Sequence, residues 1–277
     1  MRRALIATVV ALVAVAAVVI VWRAARPEPI VLAQADRRPM EARLSFGAAA
    51  RWRPYDAAAA TGREEVRVDT MKQLERRGEW RGLGDAELLA GEAARAATAL
   101  ARAGASGEAE SDRAALALQM HDPATALAHA ARALQLLPGD GAAAWNRALA
   151  LRDLGLLRAA TAAFAAIAAH GEKGWSDEAK SRAAALRARV AGEDTRSAAA
   201  PAAATVAYDE AKALAQRHDD AGAEKRALEA LALARAAEAD PRDLPRRCYV
   251  LAAEAARAQG KTALADAYVD EARLLMR

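Results

Sequence analysis

The sequence is poor in cysteine and in aromatic residues. One cysteine in 277 residues excludes an intramolecular disulfide and a zinc site built from several cysteines. Aromatic residues make up 4% of the chain, and β-branched residues are scarce beyond the N-terminal stretch, so we expect neither a β-sandwich nor a β-barrel. The abundant residues are alanine, leucine, arginine and glutamate, which have high helix propensities. The composition therefore predicts an all-α fold.

The excess of basic charge is confined to the N-terminus. The chain has 40 Lys and Arg against 36 Asp and Glu, and four of the arginines precede the first acidic residue, Glu28. Without residues 1–26, 36 basic residues face 36 acidic ones and the formal charge is zero. No cluster of basic residues with interleaved aromatics occurs elsewhere, so we expect no nucleic-acid partner.

The first apolar run predicts a membrane segment. Residues 4–22 are apolar without interruption and follow two arginines. At about 1.5 Å per residue, the run just spans a hydrocarbon core of about 30 Å. We interpret residues 1–22 as an uncleaved signal anchor, a single-pass transmembrane helix that leaves the rest of the chain periplasmic or extracytoplasmic. The alternative is a cleaved secretory signal, with a cleavage-like triplet at residues 33–35.

Composition divides the rest of the chain into four regions. Residues 23–64 contain four prolines and predict a tether that is partly irregular. Residues 65–190 and 205–277 show short helical stretches broken by Gly, Asp or Pro. Residues 191–204, with Pro201, predict a linker between these two blocks. A packed linker would give one continuous solenoid, and a flexible one would give two short solenoids.

A period of 34 residues organises the helical blocks. In the units that start at Gly107 and Gly141, small residues fall at positions 8 and 20, where two antiparallel helices must approach closely. In the second unit Gly155 falls at the turn, and in the first Pro138 ends the second helix. Further units start near Arg246 and surround Leu214 and Gly91.

These units resemble the tetratricopeptide repeat. The resemblance implies an α-solenoid of antiparallel helix pairs whose first helices line a concave groove for a protein or peptide partner. It also places Trp145, Asn146, Arg152 and Lys180 in that groove, and Trp and Arg commonly anchor interfaces. The alternative for Trp145 is packing against the neighbouring repeat. Only Asn146 and Lys180 match the peptide-carboxylate clamp of some such repeats, so the clamp is incomplete.

A narrower resemblance covers residues 40–190. Stretches such as 40–45, 145–155 and 174–179 are similar to the membrane-proximal repeat region of myxobacterial proteins that carry a caspase-like CHAT peptidase domain. After about residue 190 the pattern departs, because further helical repeats stand where an α/β segment with a catalytic His and Cys would be needed. The resemblance therefore supports a scaffold and argues against protease activity.

Three motifs suggest chemistry, and each has a simpler structural interpretation. Residues 255–262 satisfy a loose P-loop pattern, but their glycine falls at the repeat's turn position. Cys248 with His218 as its base suggests a nucleophile, yet the cysteine lies at the start of a repeat helix, where a small thiol packs. His121 and His129 are eight residues apart, too far for two metal ligands on one helix face.

The sequence thus predicts a protein that is not an enzyme and needs neither cofactor nor metal. We expect a membrane-anchored scaffold or adaptor that mediates protein–protein interaction at the cell envelope. The alternative is a regulatory partner, or a paralogue fragment, of a protease system that combines such repeats with a CHAT domain.

Overall fold

A computed structural model describes the chain over residues 32, 36–56, 65–194, 201–236 and 244–276. Within these ranges the chain forms twelve α-helices and no β-strand, which confirms the predicted all-α class. No helix in the described ranges is long and apolar enough to cross a bilayer. The predicted anchor, residues 1–22, lies outside them.

Most of the helices are arranged in pairs. The helices are α1 (Val68–Arg77), α2 (Trp80–Leu89), α3 (Ala93–Arg102), α4 (Gly107–Gln119), α5 (Pro123–Leu136), α6 (Gly141–Asp153), α7 (Leu157–Ala169), α8 (Trp175–Asp194), α9 (Pro201–Gln216), α10 (Asp220–Ala236), α11 (Leu244–Ala258) and α12 (Thr262–Leu274). A 3-10 turn, η1 (Gly47–Ala50), precedes them. The pairs α2–α3, α4–α5, α6–α7, α9–α10 and α11–α12 each consist of two helices that pack along one another, and they coincide with the repeat units expected from the sequence.

Local signals in the sequence determine where helices begin and turn. Ser106 caps α4 and Asp122 caps α5, and each side chain accepts a bond at 3.1 Å from the N–H three residues later. Gly155 and Gly260 adopt φ values of +74° and +75° in the turns of their pairs, a conformation that glycine adopts without strain. The P-loop-like stretch is therefore a helix–turn–helix connection.

Alanine allows the paired helices to approach closely. Positions 8 and 20 of the two central units are fully buried alanines, and a large side chain, Phe164, fills the space between the helices of the second unit. Because alanine has a small side chain with no rotamer entropy to lose, it suits a close helix contact. The four alanines are Ala114, Ala126, Ala148 and Ala160.

Helix extends into both ends of the predicted linker. α8 continues to Asp194 and α9 begins at Pro201, so only residues 195–200, which lie outside the described ranges, separate the two helices. The proline that suggested a linker is the first residue of α9. At that position its missing N–H would be unbonded in any case, and its fixed φ suits a helix.

The C-terminal block docks through its last helix onto the second helices of the first block. α12 packs against α5 and α7. There the buried carboxylate of Glu271 accepts bonds from the N–H groups of Arg158 and Ala159, at 3.2 and 2.7 Å. It thereby caps the first turn of α7, whose own N-cap residue, Leu156, offers no side-chain acceptor.

We expect Glu271→Ala to loosen this docking. The substitution leaves the part-buried N–H of Arg158 and the buried N–H of Ala159 without this acceptor, which costs about 1–3 kcal/mol. Hydrogen exchange of the first turn of α7 and of α12 should accelerate together. Asp266→Ala on the same helix is the control, since the Asp266 side chain is 63% exposed and its ion pair is with Arg257 of α11. Unchanged exchange in Glu271→Ala would contradict the capping role.

Candidate functional site

Part of the predicted tether lies across the first helices of the pairs. It runs from α8, which Arg38 contacts, across α6 and α4 to α2, which Phe46 contacts. We call residues 38–46 the groove segment, and the surfaces of α2, α4, α6 and α8 that contact it the groove. Residues 51–56 return beside the segment, where the Arg38 N–H donates to the Pro54 carbonyl at 3.0 Å.

Two neighbouring residues of α6 bond to the backbone of the groove segment. The Asn146 side chain accepts from the Arg43 N–H and donates to the Arg43 carbonyl, both at 2.8 Å. The indole N–H of Trp145 donates to the Glu41 carbonyl at 3.0 Å. Such bonds recognise a peptide backbone and do not depend on the side chains that it carries.

A pair of arginines in the groove holds the one acidic side chain of the segment. Arg152 binds the Glu41 carboxylate through two bonds, at 2.5 and 2.8 Å, and Arg182 binds the same carboxylate from α8. Burial alone would raise the pKa of Glu41, but the hydrogen bonds and charges of the two arginines lower it below its ordinary value. This part of the groove therefore selects an acidic side chain.

The two arginines of the segment stack on one tryptophan and pair with acidic residues. The guanidinium groups of Arg38 and Arg43 each lie 4.5 Å from the ring centre of Trp175. Arg38 bonds to Glu178 at 2.5 Å, and Arg43 bonds to both oxygens of Glu172 at 2.7 and 2.5 Å. A planar guanidinium satisfies the ring and the carboxylate together, so these positions favour arginine over lysine.

Two fully buried carboxylates hold the end of the segment. Asp112 on α4 accepts from the N–H and the hydroxyl of Ser45, both at 2.8 Å, and Asp85 on α2 accepts from the Phe46 N–H at 3.2 Å. Burial raises the pKa of Asp112 to about 7 against the bonds from Ser45. Burial and the charge of Asp112 raise the pKa of Asp85 as well, and Arg81, 3.8 Å from Asp112, offsets part of this effect.

The structure brings three of the four predicted groove residues to the segment: Trp145, Asn146 and Arg152. Trp145 also packs edge-on against Phe164 and Trp175, with ring centres 5.3 and 4.7 Å apart, so the packing alternative holds at the same time. Lys180 is exposed, and within the described residues no hydrogen bond or ion pair links it to the segment. On α8, Glu178 and Arg182 face the segment. Lys180 lies two positions from each of them, on another side of the helix. A role in binding a partner stays a prediction for all four.

Asp85 and Asp112 were not predicted as contact residues, although the repeat register contained a signal for them. Asp85, Asp112 and Asn146 are each the sixth residue of their helix, and each bonds to the backbone of the segment. A polar residue at the same place in three successive first helices indicates a shared contact. On α8 the sixth residue is Lys180, and there Glu178 and Arg182 make the contacts instead.

The residues considered for catalysis or metal binding lie in different surroundings. Cys248 is fully buried, and burial raises its thiol pKa to about 12, so the thiolate is disfavoured near neutral pH. His218 lies in an exposed turn, His121 occupies a left-handed turn, and His129 bonds to Glu110 at 2.7 Å. Over the described residues no group of three or more His, Cys, Asp or Glu side chains is arranged to hold a metal ion.

The fold and the groove together define an all-α protein of helix pairs with a site that holds a non-helical peptide segment. No protein-family model matches the chain, and no curated protein is significantly similar to it.

Proposed function

We propose that this chain is a non-catalytic scaffold or adaptor of tetratricopeptide-like repeats that holds a protein partner at a membrane. One observation carries the proposal: the groove holds residues 38–46 through side chains of several successive first helices. A surface built in this way is suited to an extended segment of another protein. The membrane part rests on the apolar run at residues 4–22.

The contacts of the groove support binding rather than chemistry. Asn146 and the two aspartates bond to main-chain groups, while Arg152 and Glu178 pair with charged side chains of the segment. The first set provides affinity for any extended chain, and the second set adds preference for particular charges.

A crosslinking pull-down from membranes tests the proposal with the tagged full-length chain. We expect a discrete protein partner, and we expect Glu41→Gln to increase its recovery several-fold, because that change weakens only the segment that occupies the groove. Arg37→Gln is the matched control, since the Arg37 side chain is 67% exposed and bonds only to Asp56.

The possible results of the pull-down have different meanings. If no protein is enriched over an untagged control by either chain, the adaptor function is wrong. Equal recovery of a partner by the wild-type chain and by Glu41→Gln would support the adaptor function but place the partner outside the groove. A caspase-like peptidase among the recovered proteins would favour regulation of a protease system.

A further inference from the structure

The groove segment and the groove match one another charge by charge. Each charged side chain of residues 38–46 meets an opposite charge on α6, α8 or the α7–α8 turn, and no covalent link holds it there. The pairs are Arg38 with Glu178, Glu41 with Arg152, and Arg43 with Glu172. The segment therefore has the properties of a bound ligand that happens to be part of the same chain.

The fit is nevertheless incomplete. Buried polar atoms normally have hydrogen-bond partners, yet Asp85 Oδ1, Trp175 Nε1 and Arg43 Nε have none among the described residues. The carboxylates of Asp85 and Asp112, which bond to the end of the segment, are both fully buried, and their charges repel each other. The unbonded atoms and the two buried carboxylates oppose docking of residues 38–46. A segment that provides them with better hydrogen-bond partners can therefore compete with these residues.

Space for an incoming chain exists beside the segment. An open cleft of about 450 Å³ borders Glu41 between the ends of α2, α4 and α6. Met40, Gln119 and Asp153 are among its lining residues, and Gln119 Oε1 is buried there without a hydrogen-bond partner. A second chain can engage this cleft before the segment has left the groove.

We propose that residues 38–46 close the groove in cis, and that the partner is a protein with an extended segment of the same charge pattern. That pattern is an arginine, an acidic residue three positions later, and a second arginine two positions after that. The inference rests on the proposed adaptor function. It adds the chemistry of the partner and the closure that the partner must displace.

The tethered segment and a free partner segment compete for the same groove, so the strength of closure sets the partner concentration that is needed for binding. A ligand tethered by a short linker has an effective concentration of about 1 mM. A free segment of equal intrinsic affinity is therefore excluded at micromolar concentrations. Any change that weakens only residues 38–46 should make the groove available without altering it.

The test measures fluorescence anisotropy of a labelled peptide that spans residues 36–56, added to the purified full-length chain. Glu41→Gln in the chain weakens the tethered segment but leaves Arg152 paired with Asp153 and Arg182 paired with Glu178. We expect the peptide to bind this variant at least about tenfold more tightly than it binds the wild-type chain. Arg37→Gln should bind the peptide as weakly as wild type.

A second peptide tests the charge pattern. It carries Arg38→Glu, Glu41→Arg and Arg43→Glu, and we expect it not to bind the Glu41→Gln chain. Circular dichroism verifies that each variant is folded. If Glu41→Gln does not fold, Arg43→Gln serves as the second variant in which the tethered segment is weakened.

The inference is overturned if both folded variants exclude the peptide, or if the charge-reversed peptide binds equally well. Dimerisation of the Glu41→Gln chain with exclusion of the peptide would also overturn it, because a second copy would then be the occupant. A partner recovered from membranes while the peptide fails to bind would remove this inference and leave the adaptor function standing.

Discussion

Trp145→Ala should lower the unfolding free energy by about 3–5 kcal/mol, because it removes a large aromatic side chain from a fully buried site. The indole packs against Phe164 and Trp175 and also bonds to the Glu41 carbonyl. For a chain of this size the loss corresponds to a fall in Tm of about 6–20 °C. Thermal unfolding followed by circular dichroism at 222 nm measures it.

Lys180→Ala is the control for this prediction. Its side chain is exposed on α8, so the substitution should change stability by less than about 0.5 kcal/mol. Trp145→Phe separates the two roles of the tryptophan, because it keeps most of the ring packing and removes the bond to Glu41. Equal Tm values for Trp145→Ala and Lys180→Ala would show that Trp145 is not a core residue. The expected instability also makes Trp145→Ala unsuitable as a probe of partner binding.

Much of the helical architecture could be predicted from the sequence because its determinants are local. Small residues recur at the positions where paired helices approach, and Gly155 and Gly260 mark turns that require a positive φ. Each of these signals acts within one helix pair. The docking of α12 onto α7 through Glu271 was not predicted, since it joins residues 113 positions apart with no pattern that links them.

The groove was predicted in part, and its occupant was not. The resemblance to a known repeat drew attention to Trp145, Asn146 and Arg152, which all contact the segment. The occupant is an irregular stretch whose contacts lie far along the chain: Arg43 and Asn146 are 103 residues apart. Irregular backbone has no periodicity, so only the docked structure shows which side chains meet. Lys180 does not contact the segment, because on α8 Glu178 and Arg182 make the contacts that the sixth residue makes on the earlier helices.

The stability of the protein should fall as the pH rises from about 5 to about 7. Burial raises the pKa of Asp112 to about 7, far above the ordinary aspartate value of 3.8, and the pKa of Asp85 is raised as well. Between pH 5 and pH 7 the folded chain therefore binds more protons than the unfolded chain. The unfolding free energy then decreases by up to about 1.4 kcal/mol per pH unit for each group, and the contribution of Asp112 levels off above about pH 8.

The other charged groups around the pair do not reverse this trend. Arg81 favours the ionised aspartates and Asp140 disfavours the ionised form of Asp112, and both effects are part of the raised pKa values. The pKa of Glu41 is lowered, so its contribution to stability is present above the ordinary glutamate value and is lost only at lower pH. Burial raises the pKa values of Glu87 and Glu271 too, so these groups add to the same fall, and a variant of Asp112 is needed to isolate its share.

Asp112→Asn gives the decisive comparison, because the amide has the shape of the carboxylate without its charge. Its oxygen can accept from the Ser45 N–H and its NH₂ can donate to the Ser45 hydroxyl, so both present contacts are retained. We expect this variant to be more stable than wild type at pH 8, by a smaller margin at pH 5, and less sensitive to pH than wild type between these values. Urea unfolding across this range measures the effect, with the exposed Asp177→Asn as the control that keeps the wild-type slope. A variant less stable than wild type at pH 8 would contradict this prediction and would show that ionised Asp112 holds the segment by its charge.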